Sequence, residues 1–183
     1  MTFHPEKLRR RHLEAAHGYL LLDLPDQALQ ELDQIDDPGP EAFEVYRLRG
    51  ESFLQKQQYR RALEAFEQAE TLRPNNLAVG IGRGRCYKRT GQLDRAIATM
   101  QTLYRFYPDE PIVLYNLSCY LALAGDKDGA LRWLGRALRM EPALRKLIPE
   151  DTDFDSLRDD PDFRFVAGID TDQDAGTAGD LQP

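Results

Sequence analysis

Three glycines in the middle of the chain have the spacing of a phosphate-binding loop. Gly80, Gly82 and Gly84 alternate with other residues, but phosphate loops follow a strand, and none is predicted before them. The surrounding sequence predicts a helix instead, in which Gly80 and Gly82 have no evident packing role. Each costs the helix about 1 kcal/mol relative to alanine. We therefore predict a locally soft helix and no nucleotide site.

Two runs of alternating aspartates have the spacing found at the start of calcium loops. They lie at residues 151–155 and 170–174. A calcium loop also needs a glycine at its sharp turn and a glutamate that binds through both oxygens, and neither run has these residues in place. We interpret the first run as the start of a closing segment and the second as a solvated tail. We predict no bound metal.

The histidines and cysteines do not form a catalytic or metal-binding set. The histidines are His4, His12 and His17; His12 and His17 are five residues apart, which is not one helical face, and no cysteine or carboxylate pair completes a zinc set. Cys86 and Cys119 have no neighbouring histidine and fit a reduced compartment. No serine-histidine-aspartate arrangement is visible either. The sequence therefore predicts a protein that is not an enzyme and has no cofactor.

The composition indicates a folded protein that binds neither nucleic acid nor membrane. Of 183 residues, 42% are hydrophobic and 30% are charged, and no apolar run approaches the roughly 18 residues of a membrane span. Residues 143–183 hold four basic and eleven acidic side chains and account for the whole net charge of −7. The neutral remainder lacks the basic surface that neutralises phosphates. Arginines replace the apolar stretch of a signal peptide, so we expect a cytoplasmic protein.

A repeat of 34 residues runs through the chain. Prolines, alanines and small residues recur with this period at Pro40, Pro74, Pro108 and Pro142, at Ala28, Ala62, Ala96 and Ala130, and at Ala16, Gly50, Gly84 and Ser118. Large apolar residues recur with the same step. Because unrelated residue types share one period and one phase, the sequence predicts repeated structural units that stack on one another.

Each unit has the pattern of two helices joined by a polar turn. Apolar side chains recur at helical spacing on both sides of the turn. Gly91 and Gly125 stand where the first helices of two units should end, and Asn76 and Asp126 can cap the helices that follow. The small residues would let paired helices approach closely. We therefore predict a helix hairpin in each unit.

This pattern resembles the tetratricopeptide repeat family. The second unit carries the resemblance best, with Tyr46, Gly50, Phe53, Tyr59, Ala62, Phe66, Ala69 and Pro74 at family positions. The resemblance implies an all-α solenoid of about four helix-turn-helix repeats, at residues 9–42, 43–76, 77–110 and 111–144. Residues 145–167 are similar to the segment, with a capping helix, that closes many bacterial members. Residues 168–183 predict a disordered acidic tail.

The resemblance also implies a binding surface, because in this family the first helices line a concave groove that receives a peptide or a partner helix. It assigns to this groove His17, Arg47, Glu51, Ile81, Arg85, Lys88, Arg89, Tyr115, Asn116 and Cys119. Arg85, Lys88 and Arg89 have the spacing of one helix face and suit a partner with carboxylates. The alternative is an ordinary solvated basic face. Gly82 would leave space for a pocket, and the acidic tail could fold back on the cluster.

The sequence therefore predicts a non-enzymatic scaffold or adaptor that binds a protein or peptide partner. Two alternatives remain. The first is a chaperone for a secreted effector, although the fourth unit and the closing segment argue against it. The second is a structural subunit that assembles with itself through its ends.

Overall fold

The structure is a computed structural model that describes residues 5–169. In this range the chain contains no strand and nine α-helices, which are α1 (Pro5–Leu21), α2 (Pro25–Leu32), α3 (Ala42–Gln55), α4 (Tyr59–Leu72), α5 (Leu77–Arg89), α6 (Leu93–Phe106), α7 (Pro111–Leu123), α8 (Lys127–Met140) and α9 (Pro161–Ala167). The prediction of an all-α fold with repeats and a cap is confirmed. His4 and most of the predicted tail, with the aspartate run at 170–174, lie outside the described residues.

The four helix hairpins share one turn geometry. α1 packs on α2, α3 on α4, α5 on α6 and α7 on α8. Each turn contains one residue with a positive φ, and these residues recur every 34 positions at Asp23, Gln57, Gly91 and Gly125. The next residue of each turn donates its backbone N–H to the carbonyl five residues earlier, over 2.8–2.9 Å. The period in the sequence therefore reflects a turn that is built four times.

Side chains cap the helices where the sequence predicts caps. The Asn76 Oδ1 atom accepts a hydrogen bond from the backbone N–H of Val79 at 3.2 Å. The Asp126 Oδ1 atom accepts one from the N–H of Gly129 at 2.9 Å. Both bonds satisfy an amide that has no partner within its own helix, and both predictions are confirmed.

The chain divides into two compact units, Met1–Phe106 and Tyr107–Pro183. We call them the N-terminal unit and the C-terminal unit. The core of the N-terminal unit contains the repeated alanines and the large residues one helical turn after them, all fully buried: Ala28, Ala62, Ala96, Leu32, Phe66 and Met100. The repeat therefore places small and large residues side by side within this core.

The glycines of α5 have a packing role that the sequence did not indicate. A Cβ atom at Gly82 would lie 2.5 Å from the Phe66 ring, and one at Gly80 would lie 2.7 Å from the Leu103 side chain. The Phe66 ring also fills the space beside Gly50. The interpretation that Gly80 and Gly82 lack a packing role is therefore wrong. The expectation of a pocket beside Gly82 is also wrong, because the Phe66 ring of α4 occupies that space.

The C-terminal unit consists of α7, α8 and a closing segment that covers them. This segment contains two 3-10 helices, Pro142–Glu150 and Thr152–Leu157, and then the short helix α9. The first 3-10 helix and α9 pack on α8, and the second 3-10 helix packs on α7. The cap is therefore a run of short helices, because Pro149 and Pro161 lack the N–H that a continuous helix would require there.

An ion pair fixes the end of the closing segment to the start of α8. The Lys127 Nζ atom lies 2.6 Å from Asp160 Oδ2 and 2.8 Å from Asp162 Oδ2. Asp160 also caps α9 through the backbone N–H groups of Asp162 and Phe163. The hydrogen bond from Lys127 is the main cause that lowers the pKa of Asp160 below its ordinary value.

Candidate protein-binding surface

The first helices of the hairpins form a continuous layer in the N-terminal unit. α1 contacts α3, and α3 contacts α5. Three of the predicted groove residues in this layer are exposed, namely His17, Arg85 and Arg89. The other four are half-buried: Arg47, Glu51, Ile81 and Lys88. The structure thus brings these residues to neighbouring helices and leaves each of them at least partly at the surface.

Arg47 is held in place by two glutamates on its own helix. Its Nε atom donates to Glu44 Oε2 at 2.8 Å, and its Nη1 atom donates to Glu51 Oε1 at 2.6 Å. Burial alone would lower the pKa of Arg47, but the charges and hydrogen bonds of Glu51 and Glu44 raise it instead. The positive charge of Arg47 at the centre of α3 is therefore neutralised by side chains of its own helix.

α5 presents a different surface, because two of its arginines are not neutralised. Arg85 and Arg89 are exposed, and within residues 5–169 neither forms an ion pair. Between them, Cys86 points into the core and is completely buried. This burial raises the pKa of Cys86 from 9.0 to about 11, although the charge of Arg85 opposes the change. The helix thus alternates between a core face and a basic outer face.

Arg89 also belongs to a second feature, which we call the basic pocket. It has a volume of about 540 Å³ and is lined by the α3–α4 turn and the end of α5, with Gln57, Gln58, Tyr59, Arg60, Arg61, Arg89 and Thr90. The Nε atom of Arg89 donates to the Tyr59 hydroxyl at 3.1 Å, and its guanidinium lies 5.4 Å from the centre of the Tyr59 ring. The sequence did not predict this pocket. The two adjacent arginines, Arg60 and Arg61, were the feature of the sequence that could have indicated it.

The C-terminal unit places two of its three predicted residues in the core. Tyr115 and Cys119 are only 3% and 1% exposed, whereas Asn116 is half-buried. The Tyr115 hydroxyl donates to Asp151 Oδ2 at 3.0 Å, and the Cys119 Sγ atom donates to the same oxygen at 3.4 Å. Burial, followed by the charges of Cys119 and Asp151, raises the pKa of Tyr115 above its ordinary value. This placement differs from the expectation that both side chains face a partner.

The aspartates at 151–155 serve the closing segment. Asp151 Oδ1 accepts the backbone N–H of Asp153 at 3.1 Å and so caps the second 3-10 helix. Asp155 instead pairs with Arg158 at 2.8 Å and is exposed. Ligand atoms of Asp151, Asp153 and Cys119 lie within 4.8 Å of one another, but Asp155 is held by Arg158, so the three aspartates do not form the oxygen-ligand set of a calcium loop.

A smaller cavity of about 230 Å³ lies among α4, α5 and α6. Both arginines that line it are paired with acids, since Arg83 Nη1 lies 3.5 Å from Glu70 Oε1 and Arg95 Nη2 lies 3.9 Å from Oε1 of the nearby Glu67. Gly80 forms part of its wall. The sequence offered no signal for this cavity beyond a glycine inside a helix.

The repeated hairpins match known family models. Two models described as tetratricopeptide repeat match the chain, one over residues 6–76 and the other over residues 53–117. The chain belongs to the tetratricopeptide repeat family. A curated relative of this tetratricopeptide repeat protein is outer dynein arm-docking complex subunit 4 of Danio rerio, 27% identical over 115 residues. That match covers 62% of this chain and 24% of the relative, so the chain spans about a quarter of its length.

Solved structures share the fold. YrrB, described as a TPR protein with an unusual peptide-binding site, aligns with a TM-score of 0.64 and 21% identity over 72% of this chain and 68% of that chain. TTC0263 of Thermus thermophilus aligns with a TM-score of 0.66 and 22% identity, over 84% of this chain and 82% of that chain. MamA of Desulfovibrio magneticus RS-1 aligns with a TM-score of 0.68 and 18% identity, over 91% of this chain and 97% of that chain. In residues 5–169, no helix has both the length and the apolar character of a membrane span.

Proposed function

We propose that this tetratricopeptide repeat protein is a non-enzymatic scaffold that binds a protein or peptide partner in the groove lined by α1, α3 and α5, the first helices of the hairpins in its N-terminal unit. The observation that carries the proposal is the outer face of α5. There Arg85 and Arg89 are exposed without an ion pair in the described residues, and Ile81 is half-buried one turn before Arg85. Such a face offers a partner both hydrogen-bond donors and apolar contact.

The neighbouring helices complete a surface of mixed chemistry. The Glu44–Arg47–Glu51 group on α3 is rigid, because each charge is held by another. A rigid polar group loses little conformational freedom on binding. Arginine is frequent among the residues that contribute most to protein interfaces. The combination supports recognition of a protein surface or peptide more than recognition of a small molecule.

The relatives support the same proposal. YrrB has this fold and is described as having a peptide-binding site. By analogy, we propose that this chain also uses the fold to bind a peptide segment. The analogy supports the class of function, and the residues of α5 supply the site.

The test compares proteins captured from an extract of the source cells by the wild type and by two variants. Arg85→Glu reverses a charge on α5, and Arg132→Glu makes the same change at an exposed position on α8. We expect Arg85→Glu to reduce capture of at least one specific protein by roughly tenfold, as is typical when one arginine of an interface is reversed. The Arg132→Glu variant should capture it normally.

Quantitative mass spectrometry gives the readout, and circular dichroism verifies that both variants fold. Equal capture by the wild type and Arg85→Glu would remove the face of α5 from the proposed function.

A further inference from the structure

The basic pocket of the N-terminal unit combines several positive groups without a matching acid. Arg60, Arg61 and Arg89 line it, and none of the seven lining residues is acidic. Within residues 5–169 these three arginines form no ion pair. Several other charged groups of this unit are compensated, as for Arg9 with Glu41 and Arg47 with two glutamates. The pocket is therefore a local concentration of uncompensated positive charge.

Two of the three arginines of the pocket, Arg89 and Arg61, are also held in position. Arg89 stacks near the Tyr59 ring and uses its Nε atom to bind the Tyr59 hydroxyl. The two terminal nitrogens of its guanidinium are left for another acceptor. Arg61 lies 4.1 Å from the centre of the Phe53 ring and donates to Gln58 Oε1 at 2.9 Å. A guanidinium that is already ordered loses less entropy when it binds a carboxylate through two parallel bonds.

The size and setting of the pocket suit a charged side chain. Its volume of about 540 Å³ leaves room for a glutamate or aspartate side chain. The amides of Gln57 and Gln58 add neutral donors at its wall. The first turn of α4 has no side-chain cap, so its amides add partial positive charge on the same side. All of these groups favour an anion that can accept several hydrogen bonds.

We propose that the basic pocket binds the carboxylate side chains of an acidic segment of the partner protein. This inference rests on the proposed function, because it names the chemistry of the same partner. The segment places one glutamate or aspartate between Arg89 and Arg60 in the pocket, and further carboxylates follow along α5 toward Arg85. The whole protein has a net charge of −7, so general electrostatic attraction would not recruit such a segment. Local recognition is required.

The experiment measures binding of a labelled peptide by fluorescence anisotropy with the full chain. The probe is a short peptide of alternating glutamate and serine, and its matched control carries glutamine in place of glutamate. We expect the glutamate peptide to bind and the glutamine peptide to bind at least about tenfold more weakly, because charge-assisted bonds to arginine are lost. The affinity should also fall as salt is added.

Protein variants locate the binding. The double variant Arg60→Glu with Arg89→Glu should bind the glutamate peptide roughly tenfold or more weakly than the wild type does. The control variant Arg132→Glu with Arg139→Glu makes the same change in net charge at exposed positions of α8. Its affinity for the glutamate peptide should fall by less than about twofold. Inorganic phosphate serves as a competitor. If phosphate displaces the peptide at a concentration as low as that of the peptide itself, the pocket is a simple anion site and the proposal of a carboxylate segment is overturned.

The remaining outcomes separate this inference from the proposed function. If the glutamate peptide binds no better than the glutamine peptide, or if both double variants weaken it equally, the pocket is not the site and the inference is wrong. If the extract experiment still shows capture that depends on Arg85, the scaffold proposal stands without it. If the peptide binds through Arg60 and Arg89 but no protein is captured through Arg85, the inference stands and the proposed groove is wrong.

Discussion

The turn of each hairpin requires one residue with a positive φ, and the chain fills this position in two ways. Gly91 and Gly125 adopt φ values of +75° and +79°, whereas Asp23 and Gln57 adopt +57° and +56°. A side chain makes this conformation costly, and glycine does not have that cost. The third and fourth hairpins therefore have turns with less strain than the first two.

A pair of glycine substitutions tests this difference. Gly91→Ala should destabilise the protein by about 1 kcal/mol, because alanine disfavours a positive φ. No atom lies within 4 Å of a Cβ at this position, so crowding does not contribute. Gly18→Ala makes the same chemical change inside α1, also with no atom within 4 Å, and should stabilise the protein by up to about 1 kcal/mol.

Urea unfolding measures both variants against the wild type. Shifts of the same sign would show that the conformation of the backbone does not decide the effect.

The buried thiol of Cys86 predicts a loss of stability in alkaline solution. Its pKa is about 11 in the folded protein and 9.0 ordinarily, so the unfolded chain loses its proton first as the pH rises. The contribution to stability is complete below pH 9, decreases between pH 9 and 11, and amounts to at most about 3 kcal/mol. Unfolding free energies of the wild type and Cys86→Ala should therefore converge across this range. Parallel pH profiles would contradict the prediction.

Residue patterns in the sequence predicted contacts within a hairpin better than contacts between distant segments. The caps at Asn76 and Asp126 depend on residues three positions away, and both were predicted correctly. The role of Gly82 depends on Phe66 from another hairpin, and the burial of Tyr115 depends on Asp151. No periodicity indicates which distant side chain fills a given space.

Among the elements, the closing segment determines how α7 is buried. Most residues of α7 are buried, including Val113, Leu114 and Leu117. Phe154 of the second 3-10 helix is fully buried and packs edge-on against Tyr115, with ring centres 5.9 Å apart. It also lies 5.3 Å from the Phe163 ring of α9. One aromatic side chain thus joins α7, the second 3-10 helix and α9.

Two phenylalanine variants test the importance of this contact. Phe154→Ala should destabilise the C-terminal unit by about 3–5 kcal/mol, because it removes a buried ring and leaves a cavity. Phe165→Ala removes the same group from α9, but Phe165 is 85% exposed, so its effect should stay within about 0.5 kcal/mol. Urea unfolding of the full chain gives both values. A similar cost for the two variants would mean that Phe154 is not part of a packed core.

The element boundaries could be predicted where the repeat applied and less well where it ended. Prolines and turn residues delimited α3 to α8, because the same signals recur four times. Residues 142–167 follow no period, and the interruption by Pro149 and Pro161 converted the expected capping helix into short pieces. The resemblance of residues 145–167 to the closing segment of bacterial members still indicated that this part of the chain caps the last repeat.

For the chain as a whole, the N-terminal unit has its own core and contains the basic pocket entirely. We expect a fragment of residues 1–106 to fold alone, because each hairpin of a repeat protein is stabilised mainly by its neighbours. The measurement is circular dichroism with urea unfolding, and the full chain is the reference. The fragment should also bind the glutamate peptide with an affinity similar to that of the full chain.

A fragment without cooperative unfolding would show that the N-terminal unit depends on the rest of the chain. A folded fragment that does not bind the peptide would place the determinants of binding elsewhere.

The cap at the end of the repeats restricts how this gene can change in length. The closing segment occupies surfaces of α7 and α8, and Lys127 anchors its final helix through Asp160 and Asp162. An in-frame duplication of one hairpin inserted after Met140 would have to displace this segment. Duplications upstream would keep the cap intact. Natural variation in repeat number, and engineered extension of the array, should therefore be tolerated ahead of the last hairpin and selected against behind it.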